Sequence, residues 1–334
     1  MKSTFTYTLD ALLPILMIVV LGHIVRQIGP WKDDFFMQLN KLCFYIFMPI
    51  QLFYNIYSIE SFEAANWWLI VYLLASVFLC LVIGLVAARI PLFNSEQQGV
   101  IVQATFRSNQ ALLGIPLANA LGGIASVPFT SLATSFCVPL FNVLAVVTLT
   151  VFSGNERSRI SARSLIRRIV SNPLIISALS GLILVALRQF LPVVGRVSGF
   201  DLRVHLPTLY QGLATLSAVA SPVMLFVLGA RLDFRMVSGL MPQIILGVLL
   251  RLIVCPTLVI GVAVALREPL GLTVVEMPTL ITISATPTAV ASAIMVREIG
   301  GDDQLASQLV VWTSVLSLVS VFCIVYLLRT WGLL

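Results

Sequence analysis

The residues best placed to do chemistry lie in two short polar runs inside otherwise apolar sequence. The first is Arg107-Ser108-Asn109-Gln110, followed by Gly114 and Pro116, within the stretch VIVQATFRSNQALLGIPLANAL. The second is Ser284-Ala-Thr286-Pro287-Thr288. Ser, Thr, Asn and Gln supply neutral donors and acceptors, and a proline in an apolar helix removes one N–H and clashes with the preceding turn. Gly114 can end one half-helix and Pro116 can open the next, and Thr286 can cap a half-helix whose first position is Pro287. A half-helix N-terminus carries free N–H groups and roughly +0.5 charge. Two such ends meeting at one depth favour an anion, and a carboxylate fits the donors on offer. For Asn109 and Gln110 the competing reading is a hydrogen bond between neighbouring helices.

These runs sit in 334 residues that are 59% hydrophobic and 10% charged, with mean hydropathy +1.03. That composition places the chain among polytopic membrane proteins. Apolar runs long enough to cross ~30 Å of hydrocarbon, ~20 residues each, number ten. They fall near 9–27, 35–58, 67–88, 100–121, 127–152, 171–190, 206–229, 242–265, 274–296 and 305–328. The first reads as a retained span, because Asp10 opens it and no small-x-small cleavage site precedes His23. The net charge of +6 is dispersed, with no basic and aromatic module for nucleic acid. Cys43, Cys80, Cys137, Cys255 and Cys323 lie in apolar runs without metal-ligand spacing.

Pro49-Ile-Gln-Leu-Phe53 in the second span matches Pro222-Val-Met-Leu-Phe226 in the seventh, and Pro116 in the fourth matches Pro287 in the ninth, at offsets of 173 and 171 residues. Two matched pairs in span register indicate a repeat of five spans. An odd number of spans turns the second copy upside down. The expectation is therefore an all-α membrane protein of ten transmembrane helices in two inverted five-helix repeats, 1–152 and 171–334, with broken helices 4 and 9 crossing at mid-membrane. A basic cytoplasmic linker, 153–170, joins them. Eleven of the 20 Lys and Arg residues flank one side and six the other, which puts both termini on the non-cytoplasmic face of the cytoplasmic membrane.

Arg251 lies about ten residues into its span, ~15 Å deep, and no acidic residue shares that depth. Its partner is either a substrate anion lining a cavity or backbone carbonyls at a loop or helix end. Arg107 and Lys41 read as side chains that snorkel to headgroups, and Asp10, Glu276 and His23 as solvated span boundaries. The chain lacks a mid-membrane carboxylate pair, which disfavours a sodium–proton antiporter, and lacks any His cluster or Ser/His/Asp set for an intramembrane enzyme. Carbonyls at the breaks could hold a Na⁺, so coupling to Na⁺, to H⁺ or to nothing is open, and no other cofactor is implied. An anion-permeable channel is the alternative to a carrier.

Several stretches resemble the auxin efflux carrier family, whose bacterial members include malonate transporter-like proteins. They are Asn40-Lys41-Leu42 with Met48-Pro49, Asn109 with Gly114-Ile-Pro-Leu117, Asn172-Pro-Leu-Ile175, Pro222-Val-Met-Leu-Phe-Val-Leu-Gly229, Arg251-Leu-Ile with Pro256, and Ala285-Thr-Pro287-Thr-Ala289. The resemblance implies a crossover at Pro116 and Pro287 with the substrate site beside it. It implies a scaffold of spans one, two, six and seven that forms a homodimer, and a second body that moves past it like an elevator. The implied substrates are organic anions such as small carboxylates. Asn109 matches the family's polar residue before the first break, and Gln51 stands where plant members carry a small hydroxyl residue facing the substrate.

Overall fold

The structure, a computed structural model, describes residues 4–58, 66–152, 171, 173–190, 201–230, 238–299 and 301–334. The basic linker expected at 153–170 lies outside them, as does the side chain of Asp10. Among the described residues the chain is helical, with a single isolated antiparallel bridge and no strand. Among the described residues, five helices are long and apolar enough to cross a membrane: Trp67–Ala87, Ile124–Phe152, Pro207–Ala230, Met241–Ala265 and Asp303–Thr330.

In order, α1 is Thr4–Ile28 and α2 is Asp33–Leu42. A π-helical turn, Cys43–Phe47, joins α2 to α3, Met48–Tyr57. Next come α4, Trp67–Ala87, and α5, Ser95–Phe106. A second π-turn, Gln110–Gly114, leads into α6, Ile115–Gly122, and α7 is Val127–Phe152. In the second half, α8 is Pro173–Phe190, α9 the short Leu202–His205 and α10 Pro207–Ala230. A third π-turn, Leu250–Val254, joins α11, Met241–Leu249, to α12, Cys255–Ala265. The last three are α13, Met277–Ala285, α14, Ala291–Ile299, and α15, Asp303–Thr330.

Each π-turn is followed, two residues after its end, by a proline: Pro49, Pro116 and Pro256. A proline clashes with the carbonyl four residues before it, and the wider π-turn moves that carbonyl aside while the helix continues. This corrects the expected break at Gly114–Pro116. The helix runs through Pro116, and the interruption lies earlier, at Arg107–Asn109, where Arg107 has φ −84°, ψ 96°.

Starts are set by side-chain caps. Asn66 accepts from the Leu69 N–H at 3.0 Å, and Asn94 and Gln97 form a reciprocal capping box on α5. Gln97 also donates to Asp302 Oδ2 at 2.9 Å, while Asp302 Oδ1 caps α15. The beginnings of α5 and α15 are thus pinned together. Such bonds matter inside a bilayer, where an unpaired polar group costs several kcal/mol.

The helices group by contact. α1 lies along α10, and α3 packs on α8 and α10. A Cβ on Gly22 would collide with the Phe226 carbonyl and one on Gly229 with the Val19 carbonyl, so these two glycines let α1 and α10 touch backbone to backbone. The other group comprises α4, α5, α7, α11 to α13, α14 and α15, and the Tyr72 hydroxyl on α4 donates to the Val259 carbonyl on α12. The groups meet where α3 packs on α7, α1 on α6 and α15, and α10 on the Gln110–Gly114 turn.

Candidate functional site

The two interrupted stretches meet. Ser108 and Thr288 form the antiparallel bridge. The Asn109 N–H donates to the Pro287 carbonyl at 2.7 Å, and the Ala289 N–H donates to the Arg107 carbonyl at 3.2 Å. Pro287 drives the second interruption, since the residue before a proline is pushed out of the helical region, and Thr286 has ψ 154°. At the first interruption Ser108 and Asn109 are residue types that compete with the helix for backbone partners, and the facing chain supplies those partners.

Arg251 closes the other side of the crossing. Its Nε donates to the Thr286 carbonyl at 2.9 Å, Nη1 to Thr105 and Phe106 at 3.1 and 3.5 Å, and Nη2 to Ile283 and Thr286 at 3.2 and 2.8 Å. A guanidinium has five N–H bonds, and these five contacts use them all. The acceptors are the last carbonyls of α5 and α13, which have no partner within their own helices. Arg251 is 1% exposed. Of the two kinds of partner open to it in the sequence, the structure shows the backbone carbonyls.

The remaining candidates fall into two kinds. The hydroxyls of the second stretch are satisfied: Ser284 donates to the Leu280 carbonyl and Thr286 to Thr282 within α13 and its end, and Thr288 donates across to the Ala104 carbonyl of α5. The Thr288 N–H in turn donates to Thr313 Oγ1 at 3.1 Å. The first stretch differs. Ser108 Oγ, Asn109 Nδ2 and Gln110 Oε1 are buried with no partner, and Asn109 does not use its side chain as a helix cap. Gln110 Nε2 donates to Thr134 Oγ1 at 2.9 Å. Thr134 donates its own proton to the Thr130 carbonyl, which fixes the orientation of the Gln110 amide. A Cβ on Gly114 would sit 2.6 Å from Gln110 Cδ, so a side chain there would have to push the Gln110 amide aside.

Pro116 lies in α6, away from the interruption itself. Gln51 lies on α3 and donates to the Ser217 carbonyl of α10 at 3.4 Å, so it joins two helices of the first group. Arg107 does not snorkel. Its side chain is buried, with Nη2 on Asn142 Oδ1 and Nη1 beside Met295 Sδ, each at 2.7 Å. Glu276 is not solvated either; it is buried and accepts from the Thr273 N–H and hydroxyl.

Sequence reasoning passed over Ser292, whose buried hydroxyl has no partner, and Gln103, whose Oε1 has none. The signal for Gln103 was its four-residue spacing from Arg107 on one helix face; Ser292 gave none beyond its nearness to Pro287.

A protein from Methanothermobacter thermautotrophicus (strain Delta H), described as an uncharacterized transporter, is 22% identical over 326 residues, 95% of this chain and 97% of that one. Residues 7–325 match the family described as membrane transport protein, the family of the auxin efflux carriers. Nearly the whole chain takes part in that match, and so the chain belongs to the membrane transport protein family.

Proposed function

We propose that this chain is a secondary carrier or uniporter for a small organic anion, a carboxylate, working by alternating access around the crossing of its two interrupted stretches. One observation carries the reading: Ser108 Oγ, Asn109 Nδ2 and Gln110 Oε1 are buried and unpartnered beside the start of a half-helix. Buried polar groups are nearly always paired. Two of the three, the Ser108 hydroxyl and the Asn109 amide, can donate to an anionic guest at a helix start where the dipole is positive, while Gln110 Oε1, an acceptor, suits a hydroxyl or N–H elsewhere on that guest.

In this reading the ten apolar stretches are ten spans in two inverted halves, 1–152 and 171–334. The antiparallel sense of the Ser108 and Thr288 pairing supports that inversion. The group formed by α1, α3, α8 and α10 is the scaffold, through which the chain dimerises. The group holding the crossing is the body that moves, in an elevator-like step. Gln51 sits on the scaffold side of that boundary. The chain resides in the cytoplasmic membrane with both termini outside, the substrate its only obligatory small-molecule partner, with Na⁺ or H⁺ as a coupling ion to be tested alongside.

Proteoliposomes loaded with labelled mono- and dicarboxylates test this. Saturable counterflow of at least one of them is the expected result, with and without a sodium gradient compared. Uptake no greater than in empty liposomes for the whole panel overturns the anion assignment, and unitary conductance steps without counterflow replace the carrier with a channel.

A further inference from the structure

Arg251 is fully engaged in holding the crossing, which leaves the anion without a formal charge partner there. Arg107 supplies one. Its guanidinium is buried, 5% exposed, and among the described residues no carboxylate pairs with it. It reaches Asn142 Oδ1 on α7 at 2.7 Å. Its other contact, 2.7 Å from Nη1, is the Met295 thioether on α14. Gln103 directs Nε2 at the same sulfur from 3.8 Å. A thioether is a weak acceptor, so a charged donor and an amide converge on a poor partner.

Two more features belong to the helix that carries Met295. Ser292 lies on the first turn of α14, three residues before Met295 and so on the same face of the helix. It is 3% exposed and its hydroxyl has no partner. The N-terminus of α14, a nine-residue helix opening at Ala291, adds its partial positive charge. The guanidinium meets α14 at Met295, one turn beyond Ser292, and a buried cation is costly unless an anion joins it.

We propose that Arg107, Ser292 and the first turn of α14 form a carboxylate site beside the crossing, with Asn142 orienting the guanidinium and the flexible Met295 side chain giving way to the incoming anion. This rests on the reading of the chain as an anion carrier and names the charge that selects its substrate. The carboxylate replaces the thioether as acceptor for Arg107 and Gln103 and accepts from the Ser292 hydroxyl. Ser108, Asn109 and Gln110 then face the rest of the molecule.

The test uses thermal unfolding of the purified protein with acetate, malonate and benzoate, each against its uncharged amide: acetamide, malonamide and benzamide. The intact chain is expected to be stabilised by at least one acid and not by the matching amide. Arg107→Gln is expected to weaken that acid about tenfold or more and to abolish the preference for acid over amide. Arg107→Lys keeps the preference with weaker binding. Ser292→Ala weakens the acid about threefold or more without changing the midpoint of the free protein. An acid preference as large in Arg107→Gln as in the parent overturns the proposal. If Arg107→Gln does not fold, unchanged acid binding in both Arg107→Lys and Ser292→Ala overturns it instead. Should those variants bind normally while Asn109→Ala loses the acid, the carrier reading survives and this site does not. A parent protein that fails to distinguish acids from amides removes both.

Discussion

Replacing Arg251 by Met should damage the fold far more than it changes affinity for substrate. The side chain is nearly isosteric along its stem, but Met can donate no hydrogen bond. Four carbonyls, those of Thr105, Phe106, Ile283 and Thr286, would lose their partner. Each stranded buried acceptor costs about 1–3 kcal/mol, so the sum is at least ~4 kcal/mol, a large part of a typical 5–15 kcal/mol of stability. At ~2 °C per kcal/mol for a chain of this size, the thermal midpoint should fall by about 8 °C or more. Arg251→Lys restores the charge with three donors in place of five and should recover only part of that loss. Unfolding in detergent, followed by tryptophan fluorescence, measures both, and counterflow at a temperature where the variant remains folded measures affinity. A variant with an unchanged midpoint and a raised KM would refute the reasoning, since it would mean that the guanidinium serves the guest and not the carbonyls.

Asn109→Ala should separate stability from transport, because it removes an unpartnered buried Nδ2: the midpoint should hold or rise by about 1 kcal/mol equivalent, while counterflow falls at least several-fold, with unfolding and uptake measured on the same preparation. Gly114→Ala should displace the Gln110 amide, break its bond to Thr134 and lower transport at a stability cost of ~1 kcal/mol; unchanged uptake would show that the Gln110 orientation is incidental. Gly229→Val drives a side chain into the Val19 carbonyl, so α1 and α10 must part, and a loss of several kcal/mol in denaturant or thermal unfolding is expected. Burial pushes the Asp201 carboxyl up, but the Arg203 N–H, the Tyr57 hydroxyl and the Arg203 and Arg188 charges together hold it below its ordinary value. A lowered folded-state value stabilises at neutral pH and is lost as the pH falls through that value. Asp201→Asn should therefore flatten the acid limb of the stability profile, read from midpoints across a pH series.

Much of the fold was legible because it follows from composition and from proline. Apolar runs pointed to the helices, and Thr286-Pro287 marked the second interruption, but not as the cap and first position of the next half-helix: Thr286 ends α13, and α14 opens only at Ala291. The first was misplaced by the same logic. Pro116 carries the sequence signal for a break, yet a π-turn accommodates its ring, and the chain opens at Arg107-Ser108-Asn109, where only the facing strand of backbone makes an extended conformation favourable. Arg251 was recognisable as a buried charge in need of partners. That those partners are carbonyls is invisible to a one-letter sequence, since every residue has one. Arg107 was misjudged because depth was counted along its own helix, whereas α7 and α14 close over it.

One guanidinium reaching from the α11 and α12 segment to the tips of both α5 and α13 has a mechanical meaning. Those three pieces cannot be prised apart without giving up five bonds at once. A hinge that opened between the two tips would have to break them, whereas a translation of the whole cluster leaves every one intact. On the carrier reading proposed above, passage would come from shifting that riveted unit against its neighbours, with the seam along α1, α3 and α10 as the place of slip.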